Sequence, residues 1–160
     1  MTLLTETLVN QLTGGYWVPV LDGDPRLVDL YMRHYSARRS KATRQDRIRH
    51  GISGPFESVA YITTDGTAGW MWRRANIERD DHQEGVECNF FRNEGSVLSS
   101  TLIQEADALA WALWPGERHF TYVEDGEIDS PNPGYCYKMA GWKHAGRNKD
   151  GRLTILELLP

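Results

Sequence analysis

The stretch "SSTLIQEADALAWALWPG" constrains this chain more than any other. Leu102, Ile103, Ala106, Leu109, Ala110 and Leu113 recur at helical spacing, Ser99 or Ser100 can cap the start, and Pro115-Gly116 stops the run. A helix with such a stripe must bury it against another layer. Strand-like runs lie on either side, "VECNFFRNEG" before and "RHFTYVE" after. Upstream, "YWVPVLDGD" reads as a strand entering a turn. "DPRLVDLYMRHYSARR" reads as a helix, with Asp24 as cap, Pro25 at its first position and Leu27, Leu30 and Tyr31 on one face. "ESVAYITTDGTAGWMWRRA" reads as a hairpin around Asp65-Gly66, with Trp70 and Trp72 sharing a face. Downstream, "PGYCYKMAGW" predicts a short helix begun by Pro133, and "WKHAGR" with "GRLTILELL" an antiparallel pair around "NKDG". The order is strand, helix, hairpin, strand, helix, strand, helix, hairpin. With no repeat, low-complexity run or linker, residues 1–160 read as one α/β domain.

Several classes are set aside by composition. At 160 residues, 40% hydrophobic and 25% charged, the chain has the balance of a globular protein. No apolar run approaches the roughly 18 residues that cross a bilayer. "MTLLTETLVNQL" lacks the basic start and unbroken apolar core of a signal peptide, so the expectation is a cytoplasmic protein with no membrane partner. Cys88 and Cys136 are far apart and form no CxxC, which fits a reduced compartment.

The net charge of −4 is unevenly spread. Residues 33–50, "RHYSARRSKATRQDRIRH", hold six arginines and one lysine against one aspartate, a local +6, so the rest carries −10. Such a segment suits contact with a polyanion, because phosphate binding follows the local field; it equally suits a solvated loop. Arg38, Arg39, Lys41, Arg44 and Arg47 are the candidate nucleic-acid contacts.

The element order resembles the GNAT-type acyltransferase fold, and the resemblance spans about four-fifths of the chain as a pattern. It implies a central, mixed, mostly antiparallel sheet flanked by helices, splayed between "VECNFFRNE" and "RHFTYVE". An acyl donor enters the splay, its pyrophosphate facing the helix from Ser99. Gly141-Trp142 leads into the closing hairpin of that fold. One departure stands out. GNAT enzymes carry an Arg/Gln-x-x-Gly-x-Gly/Ala loop whose amides cradle the pyrophosphate, whereas this chain has "RNEGSVLSST", with one glycine and Glu94. A carboxylate beside a pyrophosphate is electrostatically wrong unless a cation intervenes, which argues against ordinary acetyl-CoA.

"RHYSARR", "FFRNEG", "SSTLIQEA", "TYVED" and "NPGYCYKMAGWK" together look like the small GNAT-like proteins of bacteriophages, including the Mom DNA-modification group. That resemblance implies addition of a carbamoylmethyl-type group to adenine N6 in double-stranded phage DNA within the bacterial host cytoplasm, shielding it from restriction, with iron in place of acetyl-CoA. It carries the His-Tyr pair to His34 and Tyr35, the helix-start serine to Ser99 or Ser100, the acidic residue to Glu124 or Asp125, and the downstream tyrosine to Tyr135. His34, Tyr35 and Glu124 would be the N/O ligands of a metal; His34 can instead be a general base.

Each residue also has a structural reading. His34 suits a helix end, and Tyr35 can pack on the sheet. Arg92 and Asn93, at the strand's end, can meet an anionic donor, or Arg92 can pair with Glu94 or Glu105. In a helix only one of Tyr135 and Tyr137 points into the cleft, with Cys136 facing elsewhere. Trp70, Trp72 and Trp142 can stack on a flipped base or pack on the sheet. The leading expectation is a Mom-like DNA-modifying enzyme. The rivals are an acetyl-CoA-dependent N-acetyltransferase acting on a small amine or protein, and an inactive GNAT-like binder of a host factor. A homodimer is the assembly to test.

Overall fold

The structure is a computed structural model that describes residues 5–124 and 134–160. Seven strands are present among them: β1 (Trp17–Val20), β2 (Glu57–Thr63), β3 (Ala68–Arg74), β4 (Val86–Asn93), β5 (His119–Glu124), β6 (Lys143–Arg147) and β7 (Leu153–Leu158). They form one open sheet in the order β1-β2-β3-β4-β5-β7-β6. Every pairing is antiparallel except β4 with β5, which run parallel and share only the pairs Val86↔His119 and Glu87↔Phe120. The expected hairpin turns where Asp65 accepts the Thr67 N–H, with Gly66 at φ 75°.

Strand alternation sorts the core into two layers, one on each face. Val59, Tyr61, Trp70 and Trp72 point to one cluster, and Ala60, Ile62 and Met71 to the other. The first cluster is covered by α1 (Glu6–Leu12), α4 (Ser99–Leu113) and α5 (Tyr135–Met139). Three indoles hold α4 to the sheet: Trp17 donates to the Leu102 carbonyl at 2.9 Å, Trp72 to the Ala106 carbonyl at 3.0 Å, and Trp142 to the Asp107 carboxylate at 3.0 Å. Asp107 also pairs with His119 Nδ1 at 2.7 Å, and that histidine is fully buried and stacked on Trp111. Trp70, Trp72 and Trp142 are therefore core residues, and the base-stacking alternative for them falls away.

The other face is covered by α2 (Pro25–Met32) and α3 (Arg44–His50), with a 3-10 helix, Tyr35–Arg39, between them. Asp24 accepts the Arg26 N–H, and Leu27, Val28, Leu30 and Tyr31 are buried. Gly69 lets this helix approach closely: a Cβ there would stand 2.9 Å from Leu27 Cδ1 and 3.1 Å from Leu30 Cδ1. Alanine at 69 would cost about 1–3 kcal/mol of overpacking.

One helix is added and three readings change. Residues 6–12 form a helix, capped by Thr5 and burying only Val9, too little apolar surface to show in the pattern. The next helix stops at Met32 because His34 takes an extended conformation (φ −80°, ψ 144°) and accepts the Ser36 N–H, restarting the chain as a 3-10 turn. The basic segment is folded too. Thr43 and Asp46 close a capping box on α3, and Ile48 packs on the core. Finally, the residue at the cap of α4 is Leu98, and neither serine caps it. Among the described residues no helix is long and apolar enough to cross a membrane.

Candidate functional site

Beyond their two shared pairs, β4 and β5 flank a cavity of about 590 Å³. Thr121 closes its apex by donating from Oγ1 to the Cys88 carbonyl at 2.9 Å, a side chain replacing the next backbone rung. Ser99 and Tyr137 line it from the layer of α4 and α5, and His34 and Tyr35 from the layer opposite. Of the expected site residues, His34, Tyr35, Arg39, Arg92, Asn93, Ser99 and Tyr135 meet here. Ser100, Glu124, Arg38, Lys41, Arg44 and Arg47 lie outside the lining, and Asp125 lies outside the described residues.

His34 packs against Tyr35 with ring centroids 4.2 Å apart and planes tilted by 31°, and meets the edge of Phe90 at 5.5 Å. Burial, reinforced by the charges of Arg92 and Arg38, lowers its pKa to about 4, so the ring is neutral at pH 7. Its Nδ1 accepts the Ser36 N–H at 3.2 Å and lies 2.7 Å from Ser36 Oγ. Those partners assign the remaining proton to Nε2. His34 is accordingly arranged as a hydrogen-bond donor, and acting as a general base requires it to give up Ser36.

Of the three expected metal ligands, His34 and Tyr35 line the cavity and Glu124 does not. Nδ1 of His34 is committed to Ser36, and buried Glu124 is ion-paired with Arg39, with Arg152 at 3.9 Å. No group of three His, Cys, Asp or Glu side chains could hold a metal ion among the described residues.

Asn93 organises the segment between β4 and α4. Its Nδ2 donates to the Val97 carbonyl at 2.7 Å and to Ser99 Oγ at 3.0 Å, and its Oδ1 accepts the Gly95 N–H at 2.9 Å. This grip engages Ser99, which stands one place inside the helix; Leu98, at the cap position, has no acceptor side chain, so the first turn of α4 lacks a side-chain cap. Arg92 makes the ion pair expected as its alternative, to Glu94 at 2.5 Å. Glu105 instead accepts the Gly14 N–H at 2.5 Å.

Both tyrosines of the short helix α5 line the cavity, at different depths. Tyr137 is buried with its hydroxyl 3.5 Å from Cys88 Sγ, whereas Tyr135 is 55% exposed at the rim. Burial pushes the Tyr137 phenol well above its usual range, so it stays protonated. Cys136, expected to face elsewhere, also lines the cavity, its thiol pushed up by burial.

The cationic segment is less free than its composition implied. Arg33 pairs with Glu94, Arg39 with Glu124 and Arg44 with Asp29, while Arg47 donates to Ser40 and lies over the Tyr31 ring. The acidic remainder of the chain thus neutralises part of it locally.

Sequence reasoning missed Ser36, Glu87, Thr121 and Tyr122 in the lining. Glu87 had a signal, since a carboxylate between Val86 and Cys88 in an apolar strand is unusual. It is buried between Arg73 and Arg79, and Arg79 also pairs with Asp81, which accepts from the Tyr122 hydroxyl at 2.7 Å. In comparisons with protein-family models, curated proteins and solved structures, nothing matches this chain.

Proposed function

We propose that this protein is a GNAT-like group-transfer enzyme that modifies a base of double-stranded DNA, in the manner of the phage Mom group. The observation that supports it most is the cavity between the two diverging parallel strands, where neutral His34, buried Tyr137, Arg92, Asn93 and Ser99 meet beside a cationic segment. An extruded base presents an exocyclic amine to such a cavity. The amine nitrogen forms a bond to carbon of an activated donor and loses a proton to water. The leaving group departs with the bonding pair and takes the Tyr137 phenol proton, which solvent later restores. His34 Nε2–H donates to charge developing on the donor. Iron, which the resemblance implies, enters none of these steps.

Nucleoside mass spectrometry of DNA from cells expressing the chain tests this directly. A mass-shifted nucleoside is expected with the wild type and not with His34→Ala; unmodified DNA in both would overturn the proposal. A second reading, acetyl-CoA-dependent N-acetylation, draws on the uncapped first turn of α4, where a pyrophosphate can sit. It requires coenzyme A to raise the melting temperature, and the DNA-modifying reading requires little change.

A further inference from the structure

Glu94 sits at the rim of the cavity in an arrangement that neither structural need nor the proposed chemistry demands. Arg33 grips it with a fork, Nε to Oε2 at 2.7 Å and Nη2 to Oε1 at 2.8 Å, and Arg92 adds Nε to Oε2 at 2.5 Å. The two guanidinium groups are themselves tied together, because Arg92 Nη1 donates to the Arg33 backbone carbonyl at 2.9 Å. Arg92 lines the cavity; Arg33 leads into the His34–Tyr35 wall. Asp29, the other carboxylate acting on Arg33, is already held by Arg44 at 2.5 Å. Two cations therefore share one anion, and a positive charge is left over where the cavity opens.

A bidentate guanidinium pair matches a carboxylate or a phosphate equally well. Glu94 lies one residue beyond β4, in a turn whose next residues, Gly95 and Ser96, are exposed, and its own side chain is 30% exposed. Exposed ion pairs of this kind are individually weak, about 0–1 kcal/mol, so a multiply charged ligand can compete for the arginines. The contrast with a purely structural salt bridge is the convergence of two positioned arginines on one displaceable group beside a cavity.

We propose that Arg33 and Arg92 form an anion clamp for a phosphate-bearing ligand, and that Glu94 is a tethered stand-in which occupies the clamp until the ligand displaces it. The assignment rests on ion-pair geometry and holds whatever the transferred group proves to be. It also accounts for the acidic residue that the sequence placed where a phosphate-binding loop would exclude one.

The clamp is tested by calorimetric binding of two probes, inorganic pyrophosphate and a short DNA duplex, to the full chain. Glu94→Gln removes the competing charge and is expected to tighten binding about tenfold, the equivalent of 1.4 kcal/mol. Adding Arg33→Gln to that variant should return affinity to the wild-type level or below. Glu78→Gln, at a side chain 81% exposed elsewhere, controls for the overall change in charge and should have no such effect. Tightening of pyrophosphate identifies a soluble diphosphate ligand, and tightening of the duplex alone identifies the nucleic-acid backbone. No tightening of either probe, tightening that survives Arg33→Gln, or an equal gain in Glu78→Gln overturns the clamp.

Discussion

Strand β4 has a glutamate between two arginines at its start and another one residue past its end, and the two sites behave differently. Glu87 pairs with Arg73 and Arg79, and its side chain is 6% exposed; Glu94 pairs with Arg33 and Arg92, and its side chain is 30% exposed. The first lies where β4 and β5 are still joined by Glu87↔Phe120, with Arg79 packed over the Phe56 and Phe120 rings. The second lies at the open end of the same strand, next to the loop that Asn93 gathers. Identical ionic chemistry makes a lock where solvent is excluded and an exchangeable contact where it is not, because desolvation decides how costly an unpartnered charge becomes.

The comparison is broken most forcefully at the buried end. Glu87→Ala strands the largely buried Arg73 and leaves Arg79 with Asp81 alone, and should lower stability by about 3 kcal/mol, seen as a large drop in the denaturation midpoint. Tyr122→Phe removes one hydrogen bond to Asp81 from the same network and should cost about 1 kcal/mol by the same measurement. Glu94→Gln should change stability by less than about 1 kcal/mol. A loss at Glu94 matching that at Glu87 would erase the distinction.

Acid sharpens it further. Hydrogen bonds from Arg33 and Arg92 lower the Glu94 pKa to about 2 from an ordinary value of 4.5. A carboxyl depressed in the folded state adds stability above its unfolded pKa, and that contribution is lost as pH falls from about 4.5 through about 2. Wild type and Glu94→Gln should therefore converge in stability over that window. His34 gives the companion test. Its pKa of about 4 lies below the ordinary 6.5, so the unfolded chain takes up the proton first and the folded state weakens as pH falls between those values. Its ring nitrogens, followed by NMR, should report a neutral imidazole at about pH 5.5; an imidazolium there would refute the placement.

Much of the frame was legible because it depends on local periodicity. The stripe from Leu102 to Leu113 gave α4, Asp65-Gly66 gave the hairpin, and the flanking runs gave β4 and β5. Arg92, Asn93 and Ser99 could be nominated because they fall at the ends of β4 and α4, whereas His34 was nominated only through the family resemblance. What stayed hidden depends on partners distant in sequence. Arg33 and Glu94 are 61 positions apart, and Tyr122 and Asp81 are 41 apart. Ser99 looked like a cap, since serine usually is one, but the Asn93 amide binds its hydroxyl. The cap that His34 makes on the 3-10 helix was hidden for a related reason: an imidazole accepting a backbone N–H is not among the common capping patterns.

The two rungs shared by β4 and β5, followed by the Thr121 hydroxyl on the Cys88 carbonyl, have a consequence for selection. The strands act as the jaws of a caliper hinged near Phe120, so the gap at any depth is set by distance from the hinge. Such a gap gauges the thickness of what enters. A flat ring can slide toward Cys88 and Thr121, whereas a bulky, branched group comes to rest earlier, near Arg92 and Asn93.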